Sequence, residues 1–132
     1  ATGSNVLLTA RSEGFFVGRP DLDETLKRLV AFAAAGADCL YAPGIRSEEE
    51  ISSVIQAVAP KPVNVLAFGQ PASQLAALGV RRISLGGALA RAAWGEFLRT
   101  AREIAEEGRF ERLDQAARGA DLNDLFAERR QR

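Results

Sequence analysis

The sequence predicts an α/β fold in which helices connect the strands of a short parallel sheet. Three features of the 132-residue chain carry that expectation. Short apolar runs recur four times, each parted from the next by a stretch of helical periodicity. Glycines at Gly36, Gly79 and Gly108 stand where the helical stretches stop. Strands kept apart by helices cannot pair as hairpins, so they run parallel with right-handed crossovers. Two architectures satisfy the alternation: an open doubly wound domain, and half of an eight-stranded βα barrel.

The first strand is expected at Val6-Leu7-Leu8, buried on both faces, with Arg11 and Glu13 just past its carboxyl end. Phe15 to Arg19 read as a loop before Pro20 and Asp21 open a helix. Asp21 and Glu24 have capping-box spacing, and Leu22, Leu26, Leu29 and Ala33 recur at helical intervals. Asp38 to Tyr41 form the second strand, with Ala42-Pro43-Gly44 at its end. Ser47 caps the second helix with Glu50 three residues on, and Ile51, Val54, Ile55 and Val58 make its buried stripe. Pro60 and Pro62 prevent continuation.

Val63 to Leu66 are the third strand, ending toward Phe68, and a shorter helix from about Pro71 to Leu78 follows. Arg82 to Leu85 give the fourth strand, then Gly86-Gly87. The longest helix spans Ala88 to Glu107, with Leu89, Phe97, Ala101 and Ile104 facing inward. Weaker helical patterns follow around Phe110–Ala116 and Leu122–Arg129.

Composition narrows the chemistry. Lys+Arg and Asp+Glu each number 17, so the net charge of zero gives no reason to expect a nucleic-acid partner. The single Cys39 excludes an intrachain disulfide and reads as an inert core thiol in a reducing compartment. No apolar run approaches a membrane span and no leader precedes the first strand, so a cytoplasmic location is expected. Histidine is absent, which excludes Ser-His-Asp and Cys-His machinery and any imidazole metal site. Methionine is absent even from the first position. The opening Ala1-Thr2-Gly3-Ser4 points to a trimmed start or a piece of something longer.

The carboxyl ends of parallel strands are where ligands bind in such folds. Arg11 and Glu13, Tyr41 and Pro43, Asn64 and Phe68, and Gly86, Gly87 and Arg91 fall there. Arg11, Arg91 and Asn64 on one rim suit a small anion bearing carboxylates. Each also has a plainer reading: a rim ion pair for Arg11 with Glu13, a loop tie for Asn64, a surface cation for Arg91. Gly86 and Gly87 could offer backbone N–H groups to an anion, although helix–strand packing explains them as well. Trp94 suits a core or an interface better than a ligand platform. Glu13 is the one acid on this rim, short of a magnesium site and of a second acid–base carboxylate.

Four stretches carry a family resemblance: Thr9-Ala10-Arg11-Ser12-Glu13, Gly36 through Gly44, Pro62 through Ala67, and Gly79 through Gly87. In order and spacing they resemble the carboxyl-terminal half of the isocitrate lyase and phosphoenolpyruvate mutase superfamily. The resemblance implies strands five to eight of a (β/α)8 TIM barrel over residues 1–108, with a helical tail over 109–132. It implies substrate contacts from Arg11, Asn64 and Arg91, with Glu13 beside them. The chain departs from the family at Pro43, where the 2-methylisocitrate lyase branch carries glutamate and the phosphonate mutases histidine, and at Leu66, where that lyase branch carries threonine.

The resemblance further implies a magnesium-dependent lyase for a small 2-hydroxy or 2-oxo dicarboxylate, or a P–C phosphonomutase. The magnesium ligands and the catalytic loop would lie in a half that this chain lacks. No catalytic residue and no metal are therefore expected here, and the chain alone is expected to be inactive. The missing amino-terminal half or a second copy is expected to cover the open sheet edges. A homo-oligomer exchanging the last barrel helix through Trp94, Phe97 and Ile104 is also implied. Two other classes remain: a receiver-like interaction module, disfavoured by Arg11 where an acidic pocket is needed, and a phosphate-binding half barrel using Gly86-Gly87.

Overall fold

The computed structural model describes residues 6–128. The Ala1–Ser4 opening and the Arg129 end of the last expected helix lie outside that range. The chain divides into two compact units, Ala1–Gly86 and Gly87–Arg132, each described by itself.

The first unit holds a four-stranded sheet in the order β1 (Thr9–Arg11), β2 (Cys39–Tyr41), β3 (Val63–Leu66) and β4 (Arg82–Ser84). Every pairing is parallel. Helices α1 (Leu22–Ala34), α2 (Glu48–Val58) and α3 (Ala72–Ala77) make the connections. Strand order follows chain order without reversal, unlike a doubly wound sheet, which reverses at its switch point. Right-handed crossovers advancing one way set the helices on one face and leave the other open.

Local chemistry fixes the helix ends. Asp21 accepts from the Glu24 N–H at 2.9 Å and starts α1. At α2 the capping box is complete, with Ser47 Oγ accepting from the Glu50 N–H and Glu50 accepting from the Ser47 N–H. Gly36, at φ 103°, takes the left-handed turn that ends α1. The core lies between sheet and helices, where Leu29, Leu40, Ile51, Val54, Val63 and Leu75 are each at most 1% exposed. Burying such a side chain contributes about 1.5–3 kcal/mol, so this layer is what holds the unit together. Cys39 belongs to the buried set, as expected of a core thiol.

The first strand departs from expectation. Val6, Leu7 and Leu8 are 78%, 78% and 60% exposed, and the strand begins at Thr9. Its position is set by Asp38, whose carboxylate accepts from the Leu8 N–H at 2.8 Å while the Leu8 carbonyl accepts from the Asp38 and Cys39 N–H groups. Arg11 is thus the last residue of β1 rather than one beyond it.

The second unit contains α4 (Ala88–Glu107), a 3-10 turn (Glu111–Gln115) and α5 (Gly119–Glu128). The bounds of α4 match the expectation, but its inward face does not. No α4 residue is buried, and Leu89 and Phe97 are 71% and 59% exposed. Trp94 and Phe97 instead meet edge to face, with ring centroids 5.3 Å apart. No helix among the described residues is long and apolar enough to cross a membrane.

Candidate functional site

One row of residues crosses the sheet of the first unit. Arg11 is the register partner of Tyr41, Tyr41 of Asn64, and Asn64 of Arg82. Register partners share a face, because side chains alternate along each strand and stay aligned across it. Leu40, Val63 and Val65 point to the helices, so this row points to the open side. There it lines a depression of about 420 Å3, to which Pro43, Leu66, Ser84 and Gly86 also contribute.

Arg11 makes the rim ion pair that its plainer reading expects. Its Nε pairs with Glu13 Oε1 at 2.8 Å, while its guanidinium lies 5.1 Å from the centre of the Tyr41 ring. The two side chains of the ion pair are 48% and 44% exposed, and such a pair contributes less than about 1 kcal/mol. The pair therefore aims Arg11 without consuming it. Bonding through Nε leaves both terminal nitrogens to form a fork on an incoming anion. Glu13 itself lines a neighbouring depression, with Asp21, Glu24 and Thr25, rather than the face that holds Asn64.

Asn64 is the most constrained group on the row. It is completely buried, its Nδ2 donates to Ser84 Oγ at 3.1 Å, and its Oδ1 has no partner among the described residues. The bond runs to the adjacent strand, so the amide ties no loop. Ser84 can donate or accept, so with the amide turned either way one terminus is left unmatched. A ligand hydroxyl, being donor and acceptor at once, satisfies either. Asn64 forms the floor of the depression, covered by its neighbours, and a ligand reaches it only when they part.

Arg82 escaped the sequence reading. It stands in the row beside Asn64, and its Nη1 donates to Thr9 Oγ1 at 3.4 Å. The signal was present as spacing: Arg82 and Ser84 stand two apart on one strand and share a face. The doubled arginine at Arg81 and Arg82 masked it by resembling a strand boundary.

Of the remaining candidates, only some reach this depression. Gly86, at φ 53°, reaches the depression, where a Cβ on it would stand 3.6 Å from Leu66 Cδ1. Gly87 and Arg91 belong to the second unit. Gly87 is the N-cap of α4, and the Arg91 guanidinium folds back to within 3.2 Å of where a Gly87 side chain would begin. Phe68, at the end of β3, carries the guanidinium of Arg46 4.2 Å above its ring. No group of three or more His, Cys, Asp or Glu side chains able to hold a metal occurs among the described residues. With Glu13 engaged by Arg11, these donors do not fit the magnesium ion that the family resemblance implies.

Fold and face together define an α/β protein with a one-way parallel sheet whose open side carries arginine, tyrosine and amide groups. The chain belongs to the phosphoenolpyruvate phosphomutase family, whose model matches residues 1–105. Among solved structures it is 52% identical to a candidate lyase/mutase from Burkholderia cenocepacia J2315. That match has a TM-score of 0.83 and covers 91% of this chain and 44% of the other. A candidate phosphonomutase from the same organism is 37% identical over 76% of this chain and 43% of its own, with a TM-score of 0.64. A 2,3-dimethylmalate lyase of the PEP mutase/isocitrate lyase superfamily shares the fold at 24% identity and a TM-score of 0.68, over 82% of this chain and 39% of its own. The chain spans less than half the length of these relatives. No curated protein sequence matches it.

Proposed function

We propose that this chain is the substrate-binding half of a carbon–carbon bond lyase acting on small 2-hydroxy or 2-oxo dicarboxylates. It would correspond to strands five to eight of a TIM barrel, with residues 1–108 forming the half barrel and 109–132 a tail. Arg11 takes a substrate carboxylate through its terminal nitrogens, and Asn64 takes the 2-oxygen. The observation that carries this reading is the pairing of an anion-ready guanidinium with an unmatched buried amide on one row of the sheet.

Cleaving the bond between two carbons of a 2-hydroxy acid leaves an electron pair on one of them and moves a proton off the 2-hydroxyl, and a 2-oxo acid must first add water across its carbonyl to gain that hydroxyl. Tyr41, Pro43, Asn64 and Leu66 provide no carboxylate or imidazole for that proton. Proton transfer and the magnesium ion of the family reading therefore come from outside this chain, which alone releases no 2-oxo acid. A P–C phosphonomutase is the second reading. The phosphomutase family model favours it, and the Arg11 fork suits a phosphonate as well as a carboxylate.

Titration calorimetry of the full chain with oxalate, lactate and phosphonoacetate tests the proposal. The lyase reading expects saturable binding of oxalate, at least tenfold weaker binding of lactate, and loss of oxalate binding in Arg11→Ala. Preference for phosphonoacetate would move the assignment to the mutase. Equal oxalate binding by wild type and Arg11→Ala would remove Arg11 from the site.

A further inference from the structure

The side chains of the sheet row differ in what they still lack. Arg11 pairs with Glu13, Asn64 donates to Ser84, and Arg82 donates to Thr9. The Tyr41 hydroxyl makes no hydrogen bond among the described residues, although the residue is only 8% exposed. A buried tyrosine ordinarily finds a partner for its hydroxyl. The sealed side-chain atoms without a partner are Asn64 Oδ1 and Gln70 Oε1, so the phenol oxygen is open to the depression that its ring lines. If the ring served only as a shelf for the Arg11 guanidinium, 5.1 Å from its centre, phenylalanine would do as well. The hydroxyl adds nothing to the packed protein and is available to a ligand.

We propose that Tyr41 is a further substrate-binding residue, whose hydroxyl donates to the same substrate carboxylate that Arg11 holds. This rests on the reading of Arg11 as the carboxylate-binding group. Arg11 and Tyr41 are register partners on β1 and β2, and the guanidinium lies over the ring. The hydroxyl stands at the edge of that ring, so cation and phenol reach one carboxylate from two directions. Both are donors there, and an ionised carboxylate is an acceptor through both of its oxygens. Asn64 spends its bond on Ser84 of β4, away from β2, and is left to the 2-oxygen. A ligand that covers the depression takes the Tyr41 hydroxyl out of water. One without an acceptor at that point strands the hydroxyl at a cost, so Tyr41 selects for the acid group.

The chain contains a single tyrosine, so tyrosine signals come from Tyr41 alone. Titration calorimetry of the full chain with oxalate, on wild type, Tyr41→Phe and Arg11→Ala, tests the proposal. Tyr41→Phe keeps the ring beneath Arg11 and removes only the hydroxyl. Oxalate should bind it at least about tenfold more weakly, with the melting temperature unchanged or higher. With tyrosine carbon-13 labelled at Cζ, the single resonance of wild type should move with oxalate and saturate as the calorimetric titration does. Oxalate binding by Tyr41→Phe within twofold of wild type, or a resonance unmoved at saturating oxalate, would overturn the proposal while leaving Arg11 in the site. A lowered melting temperature in Tyr41→Phe would reveal a protein partner for the hydroxyl and overturn it too. No oxalate binding by wild type, or equal binding by Arg11→Ala, would overturn the carboxylate reading of Arg11 and this proposal with it.

Discussion

Arg82 and Thr9 meet at 3.4 Å although they stand on β4 and β1, the opposite margins of the sheet. On a flat sheet those strands would lie three spacings apart, about 14 Å. An arginine donating to a threonine does not span that distance, so the sheet curls toward its open face. That curl turns a row of register partners into a concavity. It is the reason Arg11, Tyr41, Asn64 and Arg82 line one depression instead of a plane.

Arg11 is expected to matter for anions and little for folding. Its ion pair with Glu13 is half exposed, so Arg11→Ala should change unfolding free energy by less than about 1 kcal/mol. Oxalate affinity should fall at least tenfold, with Arg11→Lys recovering only part because it loses the planar fork. Urea melts and calorimetry on the same samples separate the two effects.

Ser84→Ala should behave in the opposite way. It removes the one hydrogen bond of a completely buried amide, leaving both ends of Asn64 without a protein partner. The expected loss is about 1–3 kcal/mol in chemical denaturation. A loss below about 0.5 kcal/mol would mean that Asn64 finds another partner.

Gly44 is a conformational requirement. Its φ is 102°, and a Cβ there would stand 2.9 Å from the Phe15 carbonyl carbon and 3.0 Å from the Phe16 nitrogen. Gly44→Ala meets both backbone strain and a backbone clash, so a loss of about 1–3 kcal/mol is expected. A thermal melt matching wild type would contradict the close approach of these two loops.

The α2 cap should give the unit an acid-sensitive element. Burial works to raise the Glu50 carboxyl, but the N–H groups of Arg46 and Ser47 and the Ser47 hydroxyl hold it below its ordinary value. A depressed carboxyl stabilises the fold above its unfolded-state value, and that contribution disappears as pH falls through the lower folded value. Stability should therefore drop below about pH 4.5, and the drop should shrink in Glu50→Gln. Ser47→Ala should cost about 1 kcal/mol at neutral pH.

Legibility in the sequence followed the locality of the cause. The starts of α1 and α2 and the end of α4 were readable because Asp21, Ser47 with Glu50, and Gly108 act within one turn. Asn64 stood out because a polar amide in an apolar run must find a partner, and the structure gives it half of one. The first strand was misplaced by its most apolar residues, since Asp38, thirty residues away, sets its register through Leu8. Arg82 was missed for a similar reason: its meaning depends on Thr9, seventy-three residues earlier, and on the curl between them. The stripe on α4 was readable as amphipathic, yet periodicity does not say what covers it, and Leu89 and Phe97 are left exposed.

A crystal structure of the full chain soaked with oxalate tests the central claim most directly. One carboxylate should lie within hydrogen-bond distance of the Arg11 terminal nitrogens, with the other directed toward Asn64. Oxalate held on the helix side of the sheet, or a face bearing none at a concentration that saturates binding in solution, would contradict it.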